Sequence, residues 1–232
     1  MESRDAAGGI RVLDHGFVRL DGAMADDLSV VNGARVSFGQ RSEELSERDA
    51  GLIRFLVRER HGSPFEHNAF RFHIKLPIFV MREWARHRIG SFNEWSARYS
   101  QLDPEFYLPE PEDVRTQVGK PGAYSFDPVP AEVAERTREA QREVYERAYA
   151  AYLKMLEDGV AREVARNVLP VAIYTQFYWT VNARSLMNFL SLRNAPTAQR
   201  EIRRYAESVE QLFAERMPVT HAAFVENGRR SP

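Results

Sequence analysis

The residues best able to bind a charged ligand lie together between positions 82 and 98. This stretch holds four arginines, one histidine and two glutamates within seventeen residues, and Arg86, His87 and Arg88 are adjacent. Guanidinium groups offer planar pairs of donors that match phosphate and carboxylate oxygens. A solvated face of mutually paired charges is the alternative, but aromatic residues interleave with the charges: Trp84, Phe92 and Trp95. Because a buried charge needs a partner or a ligand, the stretch predicts an anion-binding site.

Two arginines elsewhere in the chain are further candidates for anion binding. Arg166 follows Arg162 by four residues, so both lie on one face of a predicted helix, and a surface ion pair with Glu163 would explain Arg166 equally well. Arg193 lies at the end of another predicted helix, where the helix dipole alone favours a cation. The structural and the functional interpretations of both residues therefore stay open.

Several kinds of chemistry are excluded or disfavoured by what the chain lacks. It contains no cysteine, which excludes disulfides, thiolate metal sites and cysteine nucleophiles. His61, His67 and His73 are six residues apart, which fits neither one helix face nor a compact ligand loop, so no metal site is predicted. Ser96 has no recognisable activating pair, so we expect it to hydrogen-bond a ligand. The glycine-rich dinucleotide fingerprints are absent from the sequence.

The composition is that of a globular protein without a general attraction to nucleic acid or membranes. Of the 232 residues, 44% are hydrophobic and 28% are charged, and 32 basic residues nearly balance 33 acidic ones. No apolar run approaches the roughly 20 residues of a membrane span, and no secretory signal is recognisable. We expect a single domain over residues 1–232, with a core at about 10–217, frayed termini and a cytoplasmic location.

Alternating apolar residues predict the strands that would support this site. Strands are expected at 10–13, 17–20, 69–76 and 174–181, the first two flanking a turn at 14–16. Within 69–76, His73 is expected on the exposed face, opposite a buried face of four residues: Phe70, Phe72, Ile74 and Leu76.

Helical periodicity and capping residues predict the remaining elements. Helices are expected at 47–60, from 77 to about 86 or 87, and at 130–158, 161–169, 183–192 and 197–217. Ser46 and Asn182 are suited to cap two of them, and Pro77 to occupy a first turn. The helix at 130–158 carries an apolar stripe that includes Val144 and Tyr152, and 118–130 is expected to be a long loop. The sum is an α+β domain in which helices are in the majority.

The motif around Arg86 resembles the signature of the flavin-dependent thymidylate synthases. Arg86-His87-Arg88 is followed after seven residues by Ser96, and the longer pattern Arg-His-Arg-x-x-Ser-x-Asn-Glu-x-Ser-x-Arg also fits. Flanking segments at 34–38, 63–67 and 179–189 are similar to the family as well. The resemblance covers about residues 10–217 and implies helices packed on a small antiparallel sheet.

This resemblance implies an activity, cofactors and an assembly. The family methylates dUMP reductively to dTMP, with methylenetetrahydrofolate as carbon donor and NADPH as reductant through FAD. Its members are homotetramers whose active sites combine residues of several subunits. The absence of cysteine agrees, because the flavin-free type of thymidylate synthase requires a cysteine nucleophile.

The resemblance also implies a role for individual residues. Those expected to contact FAD are Ser63, Arg86, His87, Arg88, Glu94, Asn182, Ala183, Arg184 and Asn188. Those expected to hold dUMP are Glu83, Arg86, Glu94, Trp95, Ser96, Ala97, Arg98, Arg166 and Arg193. Arg193 would be catalytic, its fixed charge favouring the N3-ionised uracil, while Arg98 and Arg166 would bind the phosphate. Glu83 and Thr197 occupy positions where the family often has Gln and His.

Two other classes of function compete with this interpretation. An arginine-rich nucleic-acid-binding module could use Trp84, Phe92 and Trp95 as stacking platforms, although the near-zero net charge and the acids within the cluster oppose it. A flavin- or nucleotide-binding relative without synthase activity is the second alternative.

Overall fold

Helices and strands are interspersed along the computed structural model, which describes residues 8–120 and 122–232. The strands are β1 (Ile10–Val12), β2 (Gly16–Met24), β3 (Ala69–Pro77), β4 (Ser91–Glu94), β5 (Val118–Lys120), β6 (Ala123–Ser125) and β7 (Tyr174–Asn182). The helices are α1 (Asp27–Arg35), α2 (Glu47–Arg58), α3 (Ser63–Glu66), α4 (Ile78–Trp84), α5 (Ala131–Glu157), α6 (Arg162–Ala165), α7 (Ala183–Arg193), α8 (Arg200–Arg216) and α9 (Pro218–Glu226). The α+β class expected from the sequence is confirmed.

Five strands form one antiparallel sheet in the order β1-β2-β3-β7-β4. At its centre β3 and β7 pair over nine residues, with Phe72 opposite Trp179. The four residues predicted to form the inner face of β3 are all fully buried, which confirms that prediction. The prediction of an exposed His73 is wrong. Its ring stacks on Tyr178 with centroids 4.7 Å apart and its Nε2 lies 3.0 Å from Gln176 Oε1, so it is half-buried.

The inner face of the sheet packs against α4, α7 and α8 around one tryptophan. Trp84, at the end of α4, is fully buried, and its ring centroid lies 5.2 Å from that of Trp179 and 4.5 Å from that of Phe189. Tyr205 of α8 completes the cluster at 6.3 Å. Large aromatic side chains contribute much of the burial energy of a core. These contacts therefore fix the end of α4 against α7.

Most predicted helices are present, and their caps show why. The Ser46 side chain accepts from the Asp49 backbone N–H while Asp49 accepts from the Ser46 N–H, which forms a capping box at the start of α2. Asn182 caps α7 through the Ser185 N–H at 2.8 Å. Pro77 ends β3 and is the cap of α4, one position before the first turn where it was expected.

Two expectations about the second half of the chain are wrong. The predicted loop at 118–130 contains the hairpin of β5 and β6. The helix expected at 130–158 is present as α5, and of its residues only Ala134 and Tyr152 are buried, while Val144 is 56% exposed. The helix predicted at 197–217 begins at Arg200 and is followed by α9, and the buried core extends to Phe224, past the expected limit at residue 217.

A buried carboxylate explains how α9 is attached. Asp27 accepts hydrogen bonds from the Val219 N–H at 2.9 Å, the Thr220 N–H at 2.8 Å and the Thr220 hydroxyl at 2.6 Å. The two backbone N–H groups are among the donors that the first turn of a helix leaves without intrahelical partners. Within the described residues, no helix is long and apolar enough to cross a membrane.

Replacing Asp27 with Ala should lower the free energy of unfolding by about 2–4 kcal/mol, because three donors lose a charged, buried acceptor. Urea unfolding followed by circular dichroism measures the loss. Asp158→Ala is the matched control, since Asp158 is exposed and pairs with Lys154 in a surface contact worth at most about 1 kcal/mol. Equal losses in the two variants would contradict the role assigned to Asp27.

Candidate active site

The Arg193 guanidinium is held by acceptors at the end of α4. Its Nε donates to His87 Nε2 at 2.9 Å, its Nη1 to Glu83 Oε2 at 3.4 Å and its Nη2 to the Glu83 backbone carbonyl at 3.2 Å. We call Glu83, His87 and Arg193 the Arg193 cluster. An arginine carries five N–H donors, so two of them have no acceptor among the described residues. The side chain is 22% exposed, which leaves these donors within reach of a ligand.

His87 is a neutral acceptor in this cluster. Burial, and secondly the charge of Arg193, lower the pKa of His87 to about 4. Because a guanidinium can only donate, Nε2 must be unprotonated and the ring proton resides on Nδ1. The ring packs edge-on against Phe189 of α7, with centroids 4.9 Å apart. His87 therefore orients Arg193 without adding a charge.

Glu83 is a carboxyl group in an unfavourable environment. Burial is the largest cause that raises the pKa of Glu83 above its ordinary value, and the charge of Glu201 raises it further while Arg193 opposes both. Glu201 is itself an acceptor for the Tyr107 hydroxyl at 3.2 Å. Arg193 is thus the cation that favours the ionised form of Glu83, against burial and Glu201.

A second group of predicted residues lies toward the start of α7. Arg184 and Asn188 are exposed and one turn apart, so they share a face of the helix. Arg184 donates from Nη1 to Glu66 Oε1 at 2.5 Å and from Nε to the Pro232 carbonyl at 2.9 Å. Ala183 is buried, and its N–H donates to the Asn68 carbonyl at 2.8 Å.

Ser63 belongs to this second group through its neighbour. Gly62 precedes Ser63, and a Cβ at Gly62 would collide with the Arg184 side chain. The exposed Ser63 at the start of α3 therefore adjoins Arg184. Helix α7 carries predicted residues from Arg184 to Arg193, a span of about 14 Å at 1.5 Å per residue.

A third group lies in and after β4. Glu94 Oε1 accepts from the Thr175 hydroxyl at 2.8 Å, and the Trp95 N–H donates to the Gln176 carbonyl at 2.8 Å, which ties this end of β4 to β7. Ser96 Oγ accepts from Arg98 Nε at 3.3 Å. We call residues 95–98 the serine loop. Ser96 contacts an arginine rather than a general base, an arrangement suited to binding.

The segment that follows Arg166 meets the serine loop through a small core. Leu169, three residues after Arg166, packs against a cluster of three buried residues that includes Ala97 of the serine loop: Ala97, Leu102 and Ile173. Arg166 is half-buried, and no acidic side chain of the described residues, Glu163 included, forms an ion pair with it. The cation is free for an anionic ligand on this side.

One chain does not bring all the predicted residues into one cluster. Arg86, His87 and Arg88 precede β4, and the serine loop follows it. The four residues of β4 pair with β7 along their length, so the two halves of the motif are separated by roughly 10 Å at about 3.3 Å per residue.

Three contacting residues were not singled out from the sequence. Glu66 lies inside the segment 63–67, but its partner Arg184 is far away in the chain. Thr175 is a buried polar residue on the inner side of β7. The alternation of that strand in the sequence could have indicated that its side chain points inward. Phe189 resembled an ordinary core residue.

The described residues contain no group of three or more potential metal ligands.

The fold and the Arg193 cluster define an α+β protein with a partly exposed, oriented guanidinium, and comparison with known proteins identifies its family. The chain belongs to the Thy1 family, thymidylate synthase complementing protein, whose model matches residues 19–219. It is 48% identical over 215 residues to the flavin-dependent thymidylate synthase of Thermosipho melanesiensis, covering 93% of both chains. It is 49% identical over 218 residues to that of Thermus thermophilus, covering 94% of this chain and 78% of the relative.

Two solved structures are similar to this chain along nearly its whole length. The UMP/dUMP methylase PolB from Streptomyces cacaoi bound with 5-Br UMP matches with a TM-score of 0.85 at 43% identity, covering 96% of this chain and 98% of the other. The same methylase bound with 5-Br dUMP matches with a TM-score of 0.87 at 44% identity, covering 96% and 100%. The predicted family and its mixed fold are therefore confirmed.

Replacing His87 with Gln should flatten the pH dependence of stability between about pH 6.5 and 4. The pKa of His87 is lower in the folded chain, so the unfolded chain binds more protons in this window and the free energy of unfolding falls as the pH falls. Gln keeps an acceptor for Arg193 but cannot titrate, so the slope should decrease by up to one proton. Urea unfolding across this range measures it, with the exposed His67→Gln as control. An unchanged slope in the His87 variant would refute the assignment.

Proposed function

We propose that the protein is a flavin-dependent thymidylate synthase that methylates dUMP to dTMP, with methylenetetrahydrofolate as carbon donor and NADPH as reductant. The Arg193 cluster carries the proposal: a partly exposed guanidinium, fixed by a neutral histidine, retains two donors for a ligand. Relatives that are 48–49% identical are named for this activity. The chain has no cysteine that could serve the flavin-free chemistry.

The residues present fit FAD as the cofactor. Arg86 and Arg88 are exposed and have no ion pair with an acidic side chain of the described residues, so they are available to the pyrophosphate. Because Gly62 has no side chain, the Arg184 side chain has room to pass beside Ser63. Asn188 presents an amide on the same face as Arg184. When bound, the flavin supplies the hydride that reduces the pyrimidine ring.

Arg193 would act on the uracil ring of dUMP. A fixed positive charge beside the ring favours the N3-ionised form and stabilises negative charge that grows on the ring during reduction. The two free donors can contact a ring oxygen and the adjacent nitrogen. Because Arg193 is already oriented by His87 and Glu83, little reorganisation accompanies the reaction.

The other predicted substrate residues would bind rather than react. Arg98 and Arg166, on segments that meet at one small core, would hold the phosphate. Ser96, whose hydroxyl lies 3.3 Å from Arg98 Nε, would add a hydrogen bond to the substrate. Glu94 would accept hydrogen bonds from a ligand with the oxygen that Thr175 does not use.

We further propose that the chain forms one domain and assembles as a homotetramer with shared sites. One cluster of buried residues runs from Ile10 to Phe224, in favour of a single domain. The roughly 10 Å that β4 places between the motif halves favours sites completed by other subunits. Sedimentation of the flavin-loaded enzyme tests the assembly, and a monomer that holds FAD and turns over would overturn it.

A uridine ribonucleotide is the second candidate substrate. The structural relatives at 43–44% identity are a UMP/dUMP methylase, bound with 5-Br UMP in one case and 5-Br dUMP in the other. Parallel assays with UMP and dUMP at equal concentrations discriminate between the two, and faster turnover of UMP would replace dUMP as the proposed substrate.

A coupled assay tests the proposed activity against the two competing classes. The purified protein should be yellow, and NADPH should be oxidised anaerobically with dTMP formed only when dUMP and methylenetetrahydrofolate are present. Flavin binding without dTMP would indicate an inactive relative. A colourless protein that binds single-stranded nucleic acid would support the nucleic-acid-binding alternative. Of its proposed stacking residues, Trp84 is fully buried and unavailable.

Arg193→Ala and Arg166→Ala should fail in different ways. The Arg193 variant should retain FAD and its reduction by NADPH, but flavin oxidation by saturating dUMP should slow about 100-fold or more, equivalent to the roughly 2.7–4 kcal/mol of one preorganised donor. The Arg166 variant should chiefly lose dUMP affinity, by about 1.5–3 kcal/mol. Arg193→Lys should recover part of the rate. Single-turnover kinetics decide, and parental flavin oxidation in Arg193→Ala would refute its catalytic role.

A further inference from the structure

We propose that Glu83 is a positioning residue that holds the Arg193 guanidinium against the end of α4 and weakens the positive charge that a bound pyrimidine experiences. This inference rests on the proposed function, because it assumes that Arg193 faces the ring. It assigns Glu83 a role through Arg193 in place of a direct contact with the substrate.

Glu83 contacts the Arg193 guanidinium from both its backbone and its side chain. Of the three acceptors, two belong to this residue: the backbone carbonyl at 3.2 Å, which any residue at this position would supply, and the carboxylate Oε2 at 3.4 Å, which depends on the side chain. Trp84, the next residue, is locked in the core against Phe189 of α7, which carries Arg193 four residues later. The backbone of Glu83 is therefore fixed relative to α7, which keeps the carboxylate within reach of Arg193.

The charges give Glu83 its second effect. His87 is neutral, so the Arg193 cluster has a net charge near zero while Glu83 is ionised and near +1 when Glu83 is neutral. Glu201 of α8 is the other charged group that acts on Glu83, and it favours the neutral form. An opposite charge within about 4–6 Å stabilises an ionised group. Glu83 therefore offsets part of the field by which Arg193 would ionise the uracil.

Two substitutions separate the two effects. Glu83→Gln removes the charge but keeps a side-chain oxygen that can accept from Arg193 Nη1. Glu83→Ala removes both. Glu207→Gln is the matched control, because Glu207 pairs with Arg203 on the exposed face of α8, at a position unrelated to the cluster.

The positioning effect can be measured without any ligand by the titration of His87, followed by nuclear magnetic resonance of histidine-labelled protein. In Glu83→Ala the guanidinium should lose its side-chain support beside His87, so the pKa of His87 should rise above about 4 by the part of its lowering that Arg193 causes, while burial still keeps it below the ordinary value. In Glu83→Gln it should not rise. Equal values in Glu83→Ala, Glu207→Gln and the parent would overturn the positioning role.

The effect on charge is measured with 5-fluoro-dUMP, whose ring ionisation is followed by ultraviolet difference spectroscopy of the complex. Glu83→Gln should increase the ionisation constant of the bound ring about three- to tenfold, because the charge of Arg193 is no longer offset. A constant equal to that of Glu207→Gln would overturn this part of the proposal.

Failure of the proposed function gives a different result. If the parent enzyme does not bind 5-fluoro-dUMP, or if Arg193→Ala leaves the ionisation of the bound ring unchanged, then Arg193 does not face the pyrimidine and the proposal that depends on it fails. The His87 titration then still decides whether Glu83 positions Arg193. If Glu83→Ala does not fold, Glu83→Gln still tests the effect on charge with 5-fluoro-dUMP, and a ring ionisation equal to that of Glu207→Gln then overturns the proposal.

Discussion

The burial of Trp84 between β7 and α7 is the contact on which the geometry of the site depends. Its ring lies against Trp179 and Phe189, and it is fully buried. Glu83 precedes it and His87 follows three residues later, so packing of one side chain places both partners of Arg193. The polar contacts are weak individually, and they achieve their geometry because an aromatic core has already ordered the backbone that carries them.

Local signals made a large part of the fold predictable. The alternation in β3, the capping box of α2 and the Asn182 cap of α7 each involve residues within a few positions of one another. The elements that were mispredicted depend on distant contacts. Helix α9 is fixed by Asp27, almost two hundred positions away.

The site shows the same division between local and distant information. The pattern at 86–98 identified the family, and comparison confirmed it. The pairing of Arg193 with Glu83 and His87, and of Arg184 with Glu66, joins residues more than a hundred positions apart. No periodicity within the sequence encodes such pairs, because they follow from how the helices pack on the sheet. The individual site roles remain predictions for the same reason.

Strand β4 also explains why a motif with arbitrary intervening residues keeps a fixed length. Its four residues pair one to one with β7, from Ser91 opposite Thr180 to Glu94 opposite Phe177. Gly90, just before β4, lies against Trp179 and the Thr180 carbonyl with no space for a Cβ. The chain that enters β4 therefore has little room to bulge. Inserting or deleting one residue within β4 would turn the strand's later side chains to the opposite face of the sheet. The interval between the arginines and the serine is thus set by strand pairing, which fixes how many residues lie between them.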